Sequence, residues 1–95
     1  MPAYVIAHIT VTNWDRYQKY VEASPAAIAT YGGRFIARGG PMITLEGPEE
    51  TTRVVLVEFP SLEKAQVWYH SQEYRKAREL RAGAAEAAII AVDGC

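Results

Sequence analysis

His8, Glu58 and Arg38 are the side chains in this sequence whose types suit proton transfer to or from a small molecule. An imidazole exchanges a proton near neutral pH, so His8 is a candidate general base. A carboxylate beside it would fix its tautomer and raise its basicity, and Glu58 is the candidate for that place. The guanidinium fork of Arg38 suits a carboxylate substrate or a developing enolate. The two glycines after it, Gly39 and Gly40, would expose backbone amides to the same oxyanion. Each residue also has a purely structural reading. His8 would be a sequestered histidine satisfied by a neighbouring carboxylate or hydroxyl. Glu58 would belong to an ion pair or cap a helix. Arg38 would pair with Glu46 or Glu58 to order a hairpin, with Gly39-Gly40 a plain bulge or turn.

Aromatic residues form a second set. Asp15, Tyr17 and Tyr20 cluster at one helix start, and Tyr17 and Tyr20, three apart, nearly share a face. Tyr17 is a candidate for binding substrate through its hydroxyl, against the reading of helix-to-sheet packing with a wet tip. Tyr69 is a second candidate, in a polar rim with His70 and Ser71, while Trp68 reads as core. Arg78 and Arg81, also three apart, read as a solvated helix face. Metal binding is not expected, because His8 and His70 are far apart and no HxH, HxxxH or cysteine cluster occurs. His70 alone is a poor axial ligand for haem. There is no GxGxxG, P-loop or GxSxG, and no carboxylate pair in a glycosidase context, so no cofactor is expected.

The elements that must hold these groups follow from hydrophobic spacing. Residues 4–11 read as a strand with Val5, Ala7, Ile9 and Val11 on one face. Tyr4, Ile6, His8 and Thr10 lie on the other, more polar face. Asn13 caps a helix running to residue 31, with a kink or restart expected at Ser24-Pro25. Gly32-Gly33 stops it. Residues 34–38 form a second strand, with a bulge or bend at Gly39-Gly40-Pro41 and a continuation over Met42–Glu46. Residues 53–59 form the clearest strand. Ser61 caps the next helix and Ser71 a short one after it. Residues 87–92 form the last strand.

The order is β-α-β-β-α-β with a small extra helix: an α+β, ferredoxin-like βαββαβ fold with a four-stranded antiparallel sheet and its helices on one face. Strands one and three should be central neighbours, which would place His8 and Glu58 on the same open face. A large apolar sheet face left uncovered marks an interface, so a two-fold homodimer through that face is expected.

Composition narrows the function classes. A chain of 95 residues makes one domain, 1–95. Ten Lys+Arg balance 11 Asp+Glu, which argues against nucleic acid as a partner. No stretch approaches the ~20 apolar residues of a membrane span, and no basic n-region suggests a signal peptide. The single Cys95 forms no intrachain disulfide, which fits a reducing, cytoplasmic setting.

Tyr31-Gly32-Gly33-Arg34-Phe35, Arg38-Gly39-Gly40, Leu45-Glu46-Gly47, Glu58-Phe59-Pro60-Ser61, Ala65, Trp68-Tyr69-His70-Ser71 and Glu73-Tyr74 occur in that order. Over roughly residues 3–94 this resembles the family known as domain of unknown function 1330. One departure is Gln72, where the family often has proline after the serine; glutamine also fits a first helical turn. The resemblance implies a dimeric α/β barrel, in which two ferredoxin-like sheets enclose a central space. It implies no reaction, since the wider superfamily includes small monooxygenases, lactone isomerases, haem-degrading proteins, chlorite dismutases and stress-responsive proteins. The expected function is binding or transforming a small organic molecule by cofactor-independent proton transfer or oxidation. The alternative is a non-enzymatic dimeric ligand-sensing or structural module, which would have a filled interior with His8 and Glu58 both satisfied.

Overall fold

A computed structural model describes all residues, Met1–Cys95. The elements are β1 (Ala3–Val11), α1 (Trp14–Thr30), β2 (Arg34–Arg38), β3 (Arg53–Phe59), α2 (Leu62–His70), α3 (Gln72–Glu79) and β4 (Ala85–Asp93). The sheet order is β2-β3-β1-β4, antiparallel throughout. β1 and β3 are the central pair, as the βαββαβ order predicts. No helix is long and apolar enough to cross a membrane.

The two faces of β1 separate by residue parity. Ala3, Val5, Ala7 and Ile9 are buried under the helices with Val55, Val57 and Phe59 of β3. An apolar side at every second position is what a strand needs to carry a helix layer. Tyr17, Trp68 and Tyr74 are the large aromatic part of the helices' share of this core, beside Ala27, Ile28, Ala65 and Ala77. Phe59 and Trp68 pack with ring centroids 5.0 Å apart, and Trp68 and Tyr74 with centroids 4.2 Å apart. Ser71 sets that geometry from both sides. Its Oγ donates to the Trp68 carbonyl at 2.6 Å and accepts from the Tyr74 amide at 3.1 Å, so one side chain ends α2 and begins α3. Asn13 and Ser61 cap α1 and α2 in the same way, accepting from the Arg16 and Lys64 amides.

Four details differ from the sequence-based expectation. α1 continues through Pro25 with no restart. β4 is longer, 85–93. Met42–Glu46 is not a strand; it belongs to an exposed connection in which Ile43 is 82% and Leu45 88% accessible. Its β-type side chains have no strand to pair with beyond the end of β2. The bulge lies earlier than Gly39-Gly40, between Phe35 and Ala37. Gly39 makes a bend instead, with φ +67° and its amide on the Val54 carbonyl at 3.0 Å. That one-residue slip has a large effect. Phe35 and Arg38 both face the helices, opposite Val57 and Val55, while Arg34 and Ala37 face away, opposite Glu58 and Leu56.

Candidate functional site

The sheet brings the expected catalytic residues to three separate places. His8 is on the open face, opposite Val54. Its Nδ1 lies 3.3 Å from Thr52 Oγ1 and 3.6 Å from the Glu50 carboxylate. Glu50 also accepts from the Thr52 hydroxyl and from the Thr52 amide. Those two Thr52 hydrogen bonds, with a smaller contribution from His8, hold the Glu50 carboxyl below the usual carboxylate range. The carboxylate beside His8 is therefore Glu50, from the connection before β3. Glu58 shares the open face but opposes Tyr4, four residues along β1 from His8, which is about 13 Å at strand rise. It pairs with Arg34 at 2.9 Å.

Arg38 is under the sheet, not on the open face. Its Nη2 donates to the Val21 carbonyl of α1 at 2.5 Å, and its guanidinium lies 4.2 Å from the centre of the Phe35 ring. The Val21 carbonyl would ordinarily receive the amide of residue 25, but Pro25 has none, and its ring pushes that carbonyl off the helix axis. Arg38 supplies the missing donor.

Arg38 stands at the edge of a small cavity between the sheet and α1 and α3. Its walls include Tyr17, Tyr20, Phe35, Arg53, Trp68 and Tyr74, and its free volume is about 30 Å³, room for a water molecule. No carboxylate lines it. The polar groups are Ser24, three phenols, two guanidinium groups and the indole N–H of Trp68. Arg53 Nε and Trp68 Nε1 are buried and have no hydrogen-bond partner, nor has Arg81 Nε nearby. Tyr20 and Tyr74 share a 2.6 Å hydroxyl–hydroxyl bond. Burial, then the neighbouring Tyr74, pushes the Tyr20 phenol far above its usual value. Burial also raises Tyr17, with Arg53 acting against it. For Arg81, burial opposes the charge, but the Tyr74 and Tyr20 hydroxyls prevail and raise its affinity for the proton.

The expected binding residues divide similarly. Tyr17 lines the cavity. Gly39 lies against Arg53, whose guanidinium occupies the space a Cβ would need, so glycine allows Arg53 to lie flat there. Gly40 has nothing within 4 Å of its Cβ position. Tyr69 is on α2, under the Arg78 guanidinium at 4.5 Å, in a groove separate from the cavity. Arg81 is half-buried with its guanidinium 5.4 Å from the Tyr20 ring, not on a solvated face. Arg53, which sequence reasoning passed over, carried a usable signal: it shares the parity of buried Val55, Val57 and Phe59. No three His, Cys, Asp or Glu side chains come together as a metal site.

A four-stranded antiparallel sheet in this order, with its helices on one face, defines a ferredoxin-like protein. The chain belongs to the family described as Domain of unknown function (DUF1330), whose model matches residues 2–95. Among curated proteins none matches it. Solved structures show the same fold at low identity. A protein of unknown function from Rhodopseudomonas palustris, RPA0582, is 21% identical with a TM-score of 0.77, over 99% of this chain and 82% of that one. A dimeric ferredoxin-like protein of unknown function from Jannaschia sp. CCS1 is 9% identical with a TM-score of 0.71, over 99% of this chain and all (100%) of that one. SnoaB from Streptomyces nogalater, a cofactor-independent oxygenase, is 8% identical with a TM-score of 0.70, over 99% and 93% of the two chains.

Proposed function

We propose that this protein binds a small organic molecule with only its oxyanion directed into the cavity between the sheet and α1 and α3, and transforms it without a cofactor. The observation that carries this reading is the cavity's inventory: donors without a carboxylate, two of them buried and unpaired. Unmet donors in a dry site favour a ligand that presents oxygen acceptors, above all an enolate or phenolate. Burial holds the Tyr17 and Tyr20 phenols protonated, so they suit donation to such an anion and not the role of base. Oxidation of the bound anion by dioxygen is the reaction to assay, and the shared fold with an oxygenase described as cofactor-independent supports that choice. Gly39 serves the site through Arg53, and Tyr17 and Arg38 line it.

His8 is the base of a second reading, on the open face, with Glu50 in the orienting place first given to Glu58. That face exposes Ile36, Ile90 and Val92, with Ile90 61% accessible. Packing against a second copy would cover it, and relatives described as dimeric support this. Two of the features expected of a non-enzymatic module are also present: His8 and Glu58 each have a partner, and the interior is nearly filled. A reducing compartment suits the exposed Cys95.

The deciding experiment measures dioxygen uptake and thermal stabilisation with 1,3-dihydroxynaphthalene, for wild type, Arg53→Met and His8→Ala. The cavity reading expects both signals to be lost in Arg53→Met and kept in His8→Ala. The reverse pattern assigns the chemistry to the open face. Stabilisation without uptake identifies a binding module. Light scattering on Ile90→Asp tests the dimer face, with a monomer expected where wild type is dimeric.

A further inference from the structure

We propose that the groove between α2 and β4 is a ligand subsite for the ring system of a flat aromatic acid, with Trp68 as the partition between this groove and the interior cavity. The proposal extends the cavity reading above by naming where the apolar part of the ligand lies.

The groove offers about 340 Å³ of free space, roughly tenfold the 30 Å³ inside the fold. That is within the range of small-molecule sites, about 300–1,000 Å³, whereas the interior cavity alone holds no more than a water. The two spaces share three wall residues, Val5, Trp68 and Ile89. A molecule in the groove therefore lies against the same indole that closes the cavity.

Trp68 is 3% accessible, and its Nε1 has no hydrogen-bond partner. That nitrogen is itself buried, so the indole meets the groove as a flat apolar wall, suited to the ring of an aromatic acid. The aromatic character of the wall fits such a ligand. Trp68 and Tyr69 meet edge to face at 6.0 Å, and Tyr69 and His70 at 5.3 Å. Leu62 and Ile89 add aliphatic surface, and Gln66 stands in the same wall. The Arg78 guanidinium over Tyr69 places positive charge beside this wall with no carboxylate lining the groove, which favours an anion.

2-Naphthoate is a suitable probe. In a Trp14→Phe background Trp68 is the sole tryptophan, since the chain has two. Titration should then quench its emission, with affinity measured in parallel by calorimetry. Ala91 faces the groove from the exposed edge of β4. Ala91→Phe should fill the groove and weaken binding more than tenfold at unchanged melting temperature, and Ala91→Ile, a smaller β-branched filler, should act in the same direction if the phenylalanine perturbs the strand. Wild-type affinity in both Ala91 variants overturns the groove assignment. Loss of binding in Arg53→Met with both Ala91 variants unaffected also overturns it, while leaving the cavity reading intact. Absence of calorimetric binding to wild type overturns the groove alone, because the cavity is tested separately with 1,3-dihydroxynaphthalene.

Discussion

Pro25 lies inside α1 and leaves the Val21 carbonyl without its helical donor, and Arg38 from the end of β2 fills the gap. The two residues should therefore be energetically coupled. A hydrogen bond from a charged donor contributes about 1.5–3 kcal/mol in a buried setting; Arg38 is only half-buried, so about 1–2 kcal/mol is the expected cost of Arg38→Met. Methionine keeps an apolar stem but loses the guanidinium stacking on Phe35, a loss common to both backgrounds below that cancels in their difference. In a Pro25→Ala background the new amide at residue 25 can serve the Val21 carbonyl itself. The cost of Arg38→Met should then fall by about 1 kcal/mol, and that difference is the coupling energy. For a domain of this size it corresponds to about 4–8 °C in melting temperature. Urea and thermal unfolding of the four proteins at one fixed concentration measure it. An equal cost of Arg38→Met in both backgrounds would show that Arg38 and Pro25 are not coupled and leave the stacking on Phe35 as the main role of Arg38.

Other consequences follow from single contacts. A Cβ on Gly33 would lie 2.6 Å from Phe59 and 2.7 Å from Ile28, so Gly33→Ala should lose about 1–3 kcal/mol in urea unfolding. Ser71→Ala removes an acceptor from α3 and a donor to the Trp68 carbonyl at once, so a loss of about 1–2 kcal/mol is expected by the same measurement. The Tyr20 phenol is raised in the fold and ionises near its ordinary value of 10.0 when unfolded. Its contribution is complete below that value and declines as pH rises above it, because the unfolded chain releases the proton first. The urea midpoint of wild type should therefore fall more between pH 8 and pH 10.5 than that of Tyr20→Phe; equal slopes would show that Tyr20 ionises alike in both states.

Much of this architecture was legible locally. The alternation in residues 4–11 and 53–59 predicts two strands and which side of each meets the helices, and the βαββαβ order predicts that they are central neighbours. Asn13, Ser61 and Ser71 announce helix starts because a side-chain oxygen there satisfies an amide within the next three residues. Other parts were not legible. Met42–Glu46 has strand-like residues, but a strand needs an edge to pair with, and β2 ends before it. Pro25 suggests a break when only the helix is considered, and the break is averted by an arginine thirteen residues further along the chain.

The candidate site shows the same division. Local sequence accounts for the chemical groups available, the parity of Arg53 and His8 on opposite faces of adjoining strands, and the aromatic residues of the helices. These depend on periodicity, which is a property of neighbouring residues. Long-range pairing settles which of these groups meet. The register of β1 on β3 separates His8 from Glu58 and leaves Glu50 beside the imidazole. One extra residue in β2 turns Arg38 toward the helices, because side chains alternate and a single slip reverses every face beyond it. Pairing of distant strands sets that slip, and no local pattern around Arg38 carries it.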